Sequence, residues 1–391
     1  MTNTAILAAS ALLVLAYLID ILCKRLRLPA VVLLIGMGIA IRQLADSFGL
    51  HLDWVDPIVP VIGTLGLILI VLEGALDLQV SSQRVRLIAT SATAAVLGFA
   101  LALAVIAAVF AYQIGLPPGT AVLAALPFAV ISSAVAIPSA AALPLPQREF
   151  VIYESSVSDI VGVLVFYAWL HADGSFGNFT AEVVVGGLVS LVVAAIAAAG
   201  LYALINRVEG HVRFLPLLAG LILLYSIGKA SHLSPLVLVL VCGLLLNNPQ
   251  LLERNRHLKQ LHTEGYDATL REFKGLVAEL TFATKSFFFL LLGYWTDLAR
   301  MADPEAWILA GWVVLAIYST RWLLLKALRQ DAADRLMWIA PRGLITVLLF
   351  LAATETGALG PFPFGTVMLV VLVTATLTAL AQRRPASPST A

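Results

Sequence analysis

Thirteen runs of mostly apolar residues follow one another along this chain, many of them close to the length that an α-helix needs to cross a bilayer. They read as 3–22, 29–45, 57–77, 86–113, 118–143, 149–171, 181–205, 213–229, 233–248, 275–297, 305–328, 336–356 and 364–382. Lipid offers no water to satisfy backbone N–H and C=O groups, so continuous apolar runs of this length predict helices that satisfy their own. Of 391 residues, 61% are hydrophobic and only 12% charged. A soluble domain carries about 25% charged residues, and this chain has too few to cover a water-facing surface. The expected fold class is an all-α polytopic membrane protein, a single unit over 1–391. A net charge of +1 gives no basis for nucleic-acid binding. Cys23 and Cys242 match no metal or redox spacing. The apolar run 3–22 is followed, not preceded, by Lys24, Arg25 and Arg27, which reads as a first membrane helix rather than a signal peptide.

The connections alternate in basic content. Counting residues, 18 cations fall on one side, from Lys24 through Arg148 and Arg254 to Arg384, against Arg42, Lys229 and Arg300 on the other. The positive-inside rule makes the richer side cytoplasmic, with the N-terminus outside and the C-terminus inside. The expected setting is a bacterial inner (plasma) membrane. Residues 249–274 read as a cytoplasmic amphipathic linker between two halves, and 383–391 as a disordered tail rich in Pro, Ser and Thr.

The run Phe150–Phe166, FVIYESSVSDIVGVLVF, places Glu154 and Asp159 inside one of these spans. An ionisable group there costs at least a few kcal/mol unless it is paired, faces water or has a task. At about 100° per residue, Ser155, Ser158, Asp159 and Gly162 share a helix face, while Glu154 points about 140° away from Asp159. Asp159 thus has hydroxyls beside it suited to a small cation, and Glu154 needs a partner elsewhere. The other charges inside spans are Glu73 and Glu279 against Lys285, Arg321 and Arg342. Glu154 with Arg342 is the expected structural ion pair, tying span 6 to span 12. Arg321 and Lys285 are expected to compensate carboxylates or helix ends.

Two spans carry interior prolines beside small or polar residues: LPFAVISSAVAIPSAAAL, with Pro127, Ser132, Ser133 and Pro138, and MWIAPRGLITVLLF, with Pro341, Arg342 and Gly343. Proline removes a donor and clashes with the preceding turn, so both middles are expected to unwind. Spans 5 and 12 stand an odd number of places apart and so run in opposite directions. That is the arrangement of an inverted repeat with two crossed broken helices beside a mid-membrane substrate site.

With these residues in place, YESSVSDIVGVLVF resembles the signature helix of the monovalent cation:proton antiporters, the sodium/proton exchanger superfamily, closest to its family 1. APRGL at 340–344 is similar to the Arg-Gly segment of that family's second broken helix. TKSFFFLLLG at 284–293, STRWLL at 319–324 and VLEGALDL at 71–78 resemble further spans in matching order. The resemblance covers essentially the whole chain. It implies a core domain of crossed broken helices moving against a dimerisation domain, and a homodimer. It makes Asp159 the proton- and cation-binding carboxylate, with Ser155 a nearby ligand, and Glu154 and Arg342 the ion pair. Ser158, Ser133 and Ala134 are the further expected ion-binding positions, with Glu73 an acid behind the ligands or at the entrance. Arg321 falls on the helix flanking the site.

Two positions depart from the family pattern. Its Asn before the Asp is Ser158 here, and its Thr-Asp in the first broken helix falls at Ala134-Val135, leaving main-chain carbonyls with Ser132 or Ser133. The expected activity is secondary antiport of protons against Na⁺, with Li⁺ as a further cation, electroneutral and one for one, without cofactor or enzymatic chemistry. Burial disfavours the charged form of Asp159, so a proton and a cation compete for it. K⁺/proton exchange is the neighbouring reading, since a site with fewer side-chain oxygens suits a less demanding ion. A channel would want a charged ring or filter repeat. An intramembrane hydrolase would want a base beside Ser155, and a non-transporting scaffold would leave Asp159 without a task.

Overall fold

Prolines and glycines set where the helices of this chain stop, and the apolar runs between them set how far each extends. The structure, a computed structural model, describes residues 2–26, 30–48, 58–78, 85–172, 179–180, 182–207, 214–231, 233–253, 259, 265–330, 332–357, 359 and 362–382. In chain order the helices are α1 (Thr2–Leu26), α2 (Ala30–Ser47), α3 (Ile58–Asp77), α4 (Val85–Gln113), α5 (Pro118–Ala129), α6 (Ser133–Ser139), α7 (Leu145–His171) and α8 (Gly187–Arg207), the last entered through a π-helical turn, Glu182–Gly186. Then follow α9 (Phe214–Ala230), α10 (Pro235–Asn247), α11 (Pro249–Leu252), α12 (Tyr266–Trp295), α13 (Leu298–Met301), α14 (Pro304–Ala327), α15 (Ala333–Leu336), α16 (Leu344–Glu355) and α17 (Phe364–Gln382). Each of the thirteen expected spans holds helix, and no strand occurs among the described residues. Among the described residues, eight helical stretches are long and apolar enough to cross a membrane, and four shorter helices are mainly apolar.

α12 departs from the expected limits. It starts at Tyr266, within the segment read as a linker from the sequence. Tyr266, Leu270, Phe273 and Val277 are all buried, and their spacing of three and four is that of one helix face. Arg271 and Lys274 lie between them and obscure this stripe in a hydropathy reading. The middle of the expected linker, 254–258 and 260–264, lies outside the described residues, as does the tail 383–391.

The chain divides into two units, one of 1–64, 91–159 and 283–391, the other of 65–90 and 160–282. In the first unit, α2 and α12 touch backbone to backbone at two glycines. A side-chain carbon on Gly38 would lie 2.1 Å from the Leu290 carbonyl oxygen, and one on Gly293 would lie 2.1 Å from that of Ile35. Arg42 Nη1 then donates to the carbonyls of Tyr294 and Trp295 at 3.3 and 3.1 Å, closing the end of α12. A ring cluster of Phe110, Phe128, Phe350 and Phe362 packs beside α5, with centroids 5.1–6.4 Å apart.

In the second unit, polar groups tie helix ends together. Asn247 Nδ2 and Asn248 Nδ2 both donate to the Leu78 carbonyl, at 2.8 and 2.9 Å. The Tyr266 hydroxyl donates to the Leu246 carbonyl at 2.6 Å, and that of Tyr202 to Glu253 Oε1 at 3.1 Å. Gly243 lies so close to α3 that an added side-chain carbon would meet the Ala75 methyl at 2.8 Å.

Candidate functional site

The site is built where two helices of the first unit come apart. α5 ends at Ala129, and Val130 (φ −78°, ψ 131°) and Ser132 (φ −73°, ψ 114°) are extended before α6 starts at Ser133. The β-branched Val130 and Ile131, and two serines that compete for backbone partners, weaken helix here. Pro138 removes the N–H that would bond the Ala134 carbonyl four residues back, and α6 ends one residue later, at Ser139. Three of the N–H groups released by this break find partners from elsewhere in the fold. That of Ile131 donates to Ser158 Oγ at 3.0 Å, that of Ser132 to the Pro341 carbonyl at 3.0 Å, and that of Ser133 to Asp159 Oδ2 at 3.3 Å.

The second break lies between α15 and α16, over 339–343. Its main chain is claimed just as fully. The Arg342 N–H donates to Thr374 Oγ1 at 3.0 Å, and Thr378 Oγ1 donates to the Trp338 carbonyl at 3.0 Å. Arg321 Nε donates to the Leu336 carbonyl at 3.0 Å. The two breaks therefore cross in contact, through the Ser132 N–H and the Pro341 carbonyl, and α17 supplies two threonines four residues apart to support the second.

The two acids of α7 have separate environments. Glu154, 1% exposed, is held by Arg321 through two parallel bonds, Nη1 to Oε1 and Nη2 to Oε2, both 2.8 Å. The expected pair of Glu154 with Arg342 is thus corrected: Arg321, on α14, is the partner. Arg342 is used otherwise. Its Nε donates to the Phe128 carbonyl at 2.6 Å and its Nη1 to the Ala340 carbonyl at 3.2 Å. It thereby places a cation at the C-terminal end of α5, where the helix dipole is negative and carbonyls lack intrahelical donors. Asp159, 4% exposed, accepts from the Ser133 N–H through Oδ2, and its Oδ1 is buried with no hydrogen-bond partner. A carboxylate oxygen so placed is open to a proton or to a hard monovalent cation.

A family profile described as Sodium/hydrogen exchanger, transmembrane, matches residues 9–383. The chain belongs to this exchanger family. Among solved structures, the sodium proton antiporter MjNhaP1 from Methanocaldococcus jannaschii at pH 8 is similar, with a TM-score of 0.75 and 20% identity over 97% of this chain and 96% of that one. A second structure of MjNhaP1, from an electron-microscopy map, gives a TM-score of 0.74 and 21% identity over 99% of this chain and 100% of that one. At such identity the likeness is one of fold. No curated protein matches the exchanger sequence.

Within this member of the exchanger family, Ser155 Oγ donates back to the Val151 carbonyl at 2.8 Å, so its hydrogen is committed to its own helix while its lone pairs remain. Ser158 is spent on holding the first break through Ile131. Ala134 is half-buried in α6, the carbonyl freed by Pro138 being its contribution. Lys285 is half-buried on α12, Glu279 is exposed, and Glu73 belongs to the second unit. Thr374 and Thr378 were not singled out from the sequence. Their spacing of four on α17 was visible, but its use depends on the second break lying beside that helix.

Proposed function

We propose that this chain exchanges protons for a monovalent cation across the membrane, with Asp159 carrying each in turn. The observation that carries this reading is the contrast within α7. Glu154 is fully engaged by an arginine, whereas Asp159 is also buried and yet meets no cationic side chain among the described residues, one of its oxygens remaining partnerless. Burial disfavours the bare carboxylate, so it is neutralised by a proton or by a cation, and either one excludes the other. Ser155 and the Ala134 carbonyl are the oxygens assigned to complete the cation's shell. Rocking of one bundle against another would open the same site to each side alternately. The two loaded forms bear the same formal charge, and the cycle is therefore electroneutral, one for one.

Na⁺, with Li⁺ beside it, is the proposed cation, supported by the family description and by the named activity of the MjNhaP1 structures. The apolar Ala134 and Val135 favour K⁺ as the second candidate, since they bring no side-chain oxygen to a small ion. The family resemblance further supports a homodimer, and the excess of basic residues in one set of connections supports a cytoplasmic C-terminus.

Proteoliposomes holding the full chain and an internal pH dye test this. Proton efflux on adding external Na⁺, Li⁺ or K⁺ is expected for at least one of the three and is expected to vanish in Asp159→Asn. Retention of exchange by Asp159→Asn would remove the carboxylate from the mechanism. A strong dependence of the flux on imposed voltage would refute the one-for-one stoichiometry.

A further inference from the structure

Gly343 precedes α16 with φ −159° and ψ −136°, outside the left-handed region. What it supplies is space. A side-chain carbon at 343 would lie 2.7 Å from Ser132 Oγ, 3.1 Å from Val135 Cγ2 and 3.2 Å from Ser132 Cβ. These three atoms all belong to the first break or to the opening turn of α6. Ser132 is 1% exposed, and its own N–H is bonded to Pro341, two residues before the glycine. Its Oγ makes no hydrogen bond, but its Cβ is fixed to the main chain and cannot yield without disturbing the bond to Pro341. Its neighbour on one side, Ile131, is tied to Ser158, and its neighbour on the other, Ser133, gives its N–H to Asp159. Pressure on Ser132 is therefore transmitted one residue along the chain to the donor that touches the carboxylate.

We propose that Gly343 is a positioning residue for exchange: its missing side chain lets Ser132 settle against the second break, which sets the Ser133 N–H on the Asp159 carboxylate. The assignment rests on the reading that Asp159 carries the ion. Gly343 itself touches neither proton nor cation. Its effect is on the geometry of the loaded site, and it should appear in the cation concentration for half-maximal exchange more than in the maximal rate.

The test is a double-mutant cycle in reconstituted full-length protein, with proton flux measured against Na⁺ concentration for wild type, Gly343→Ala, Ser132→Ala and the double variant. Displacement of a catalytic contact by about 1 Å can cost on the order of 100-fold, so a shift of a few tenths of an ångström in Gly343→Ala is expected to raise the KM for Na⁺ about tenfold, with the maximal rate changed less. With the Ser132 hydroxyl gone the nearest obstacle is gone, and the same glycine substitution is expected to raise KM by no more than about threefold, a clear coupling between the two sites. Ser132→Val presses on Gly343 from the opposite side and is expected to raise KM in the same direction; it carries the test if Gly343→Ala does not fold. A wild-type KM in Gly343→Ala, or equal penalties in the two backgrounds, would overturn the assignment. So would a wild-type KM in Ser132→Val, should that variant carry the test. Persistence of exchange in Asp159→Asn would instead sink the underlying reading of the site, so the two failures are distinguishable.

Discussion

Glu154 and Asp159 stand five residues apart on one helix, equally buried, and the protein treats them in opposite ways. Glu154 meets a planar guanidinium edge to edge, so both its oxygens are satisfied and its charge is cancelled permanently. Asp159 has neutral Ser133 as its neighbour, whose N–H donates to Oδ2 at 3.3 Å, and nothing on its other oxygen. Burial alone therefore does not separate an architectural acid from a working one; what separates them is whether the compensating charge is covalently part of the fold. Glu154 has a resident partner. No such partner meets Asp159 among the described residues.

Several measurements would sharpen or break this contrast. The largest effect is expected from Arg321→Met, which strands Glu154 in the interior; loss of one partner of a buried pair costs about 3–5 kcal/mol. A thermal midpoint in detergent should fall accordingly, and adding Glu154→Met should recover most of it, the remainder reflecting the Leu336 carbonyl that Arg321 also serves. By contrast Asp159→Asn, which is expected to abolish exchange, should leave the midpoint unchanged or raise it. An equal drop in both variants would erase the distinction between the two acids.

Ser158→Ala should come next. It leaves the Ile131 N–H without an acceptor, and a buried donor left unsatisfied costs about 1–3 kcal/mol. Exchange should weaken while its dependence on Asp159 survives. Unaltered stability in this variant would mean that the first break is not held through α7.

The smallest effect is expected at Asp334, on the surface between α14 and α16. Its carboxylate accepts from Lys326 Nζ at 3.0 Å and from Trp322 Nε1 at 3.2 Å, and these bonds hold its pKa below the usual carboxylate range. A group with a lowered folded-state pKa adds stability that is present above its unfolded value and disappears as pH falls through the folded one. Asp334→Asn should therefore lower the midpoint slightly at neutral pH, and the difference from wild type should close below about pH 4. A difference that persists in acid would show that the bond to Trp322, and not charge, is what matters there.

The sequence made the broken helices legible because proline acts locally. Pro138 and Pro341 remove donors whatever surrounds them, and Ser132 and Ser133 advertise competing bonds from within an apolar run. The acid was equally plain, since an aspartate in hydrocarbon has few ordinary explanations. The choice of arginine was not. Arg321 and Arg342 are both long, both buried and both in spans that could pack against α7, and only the course of the backbone decides which guanidinium meets Glu154 and which turns to the end of α5. The start of α12 was hidden for another reason: Tyr266, Leu270, Phe273 and Val277 form a stripe, but Arg271 and Lys274 between them depress any average over the segment.

The different use of Arg342 has a thermodynamic corollary. Its hydrogen bonds go to the carbonyls of Phe128 and Ala340, which bear partial and not full charges. Were the first break to wind into continuous helix, the Ser132 N–H would claim the Phe128 carbonyl, and this buried cation would lose its shortest hydrogen bond. The unwound middle of one broken helix and the guanidinium of the other thus hold each other in place.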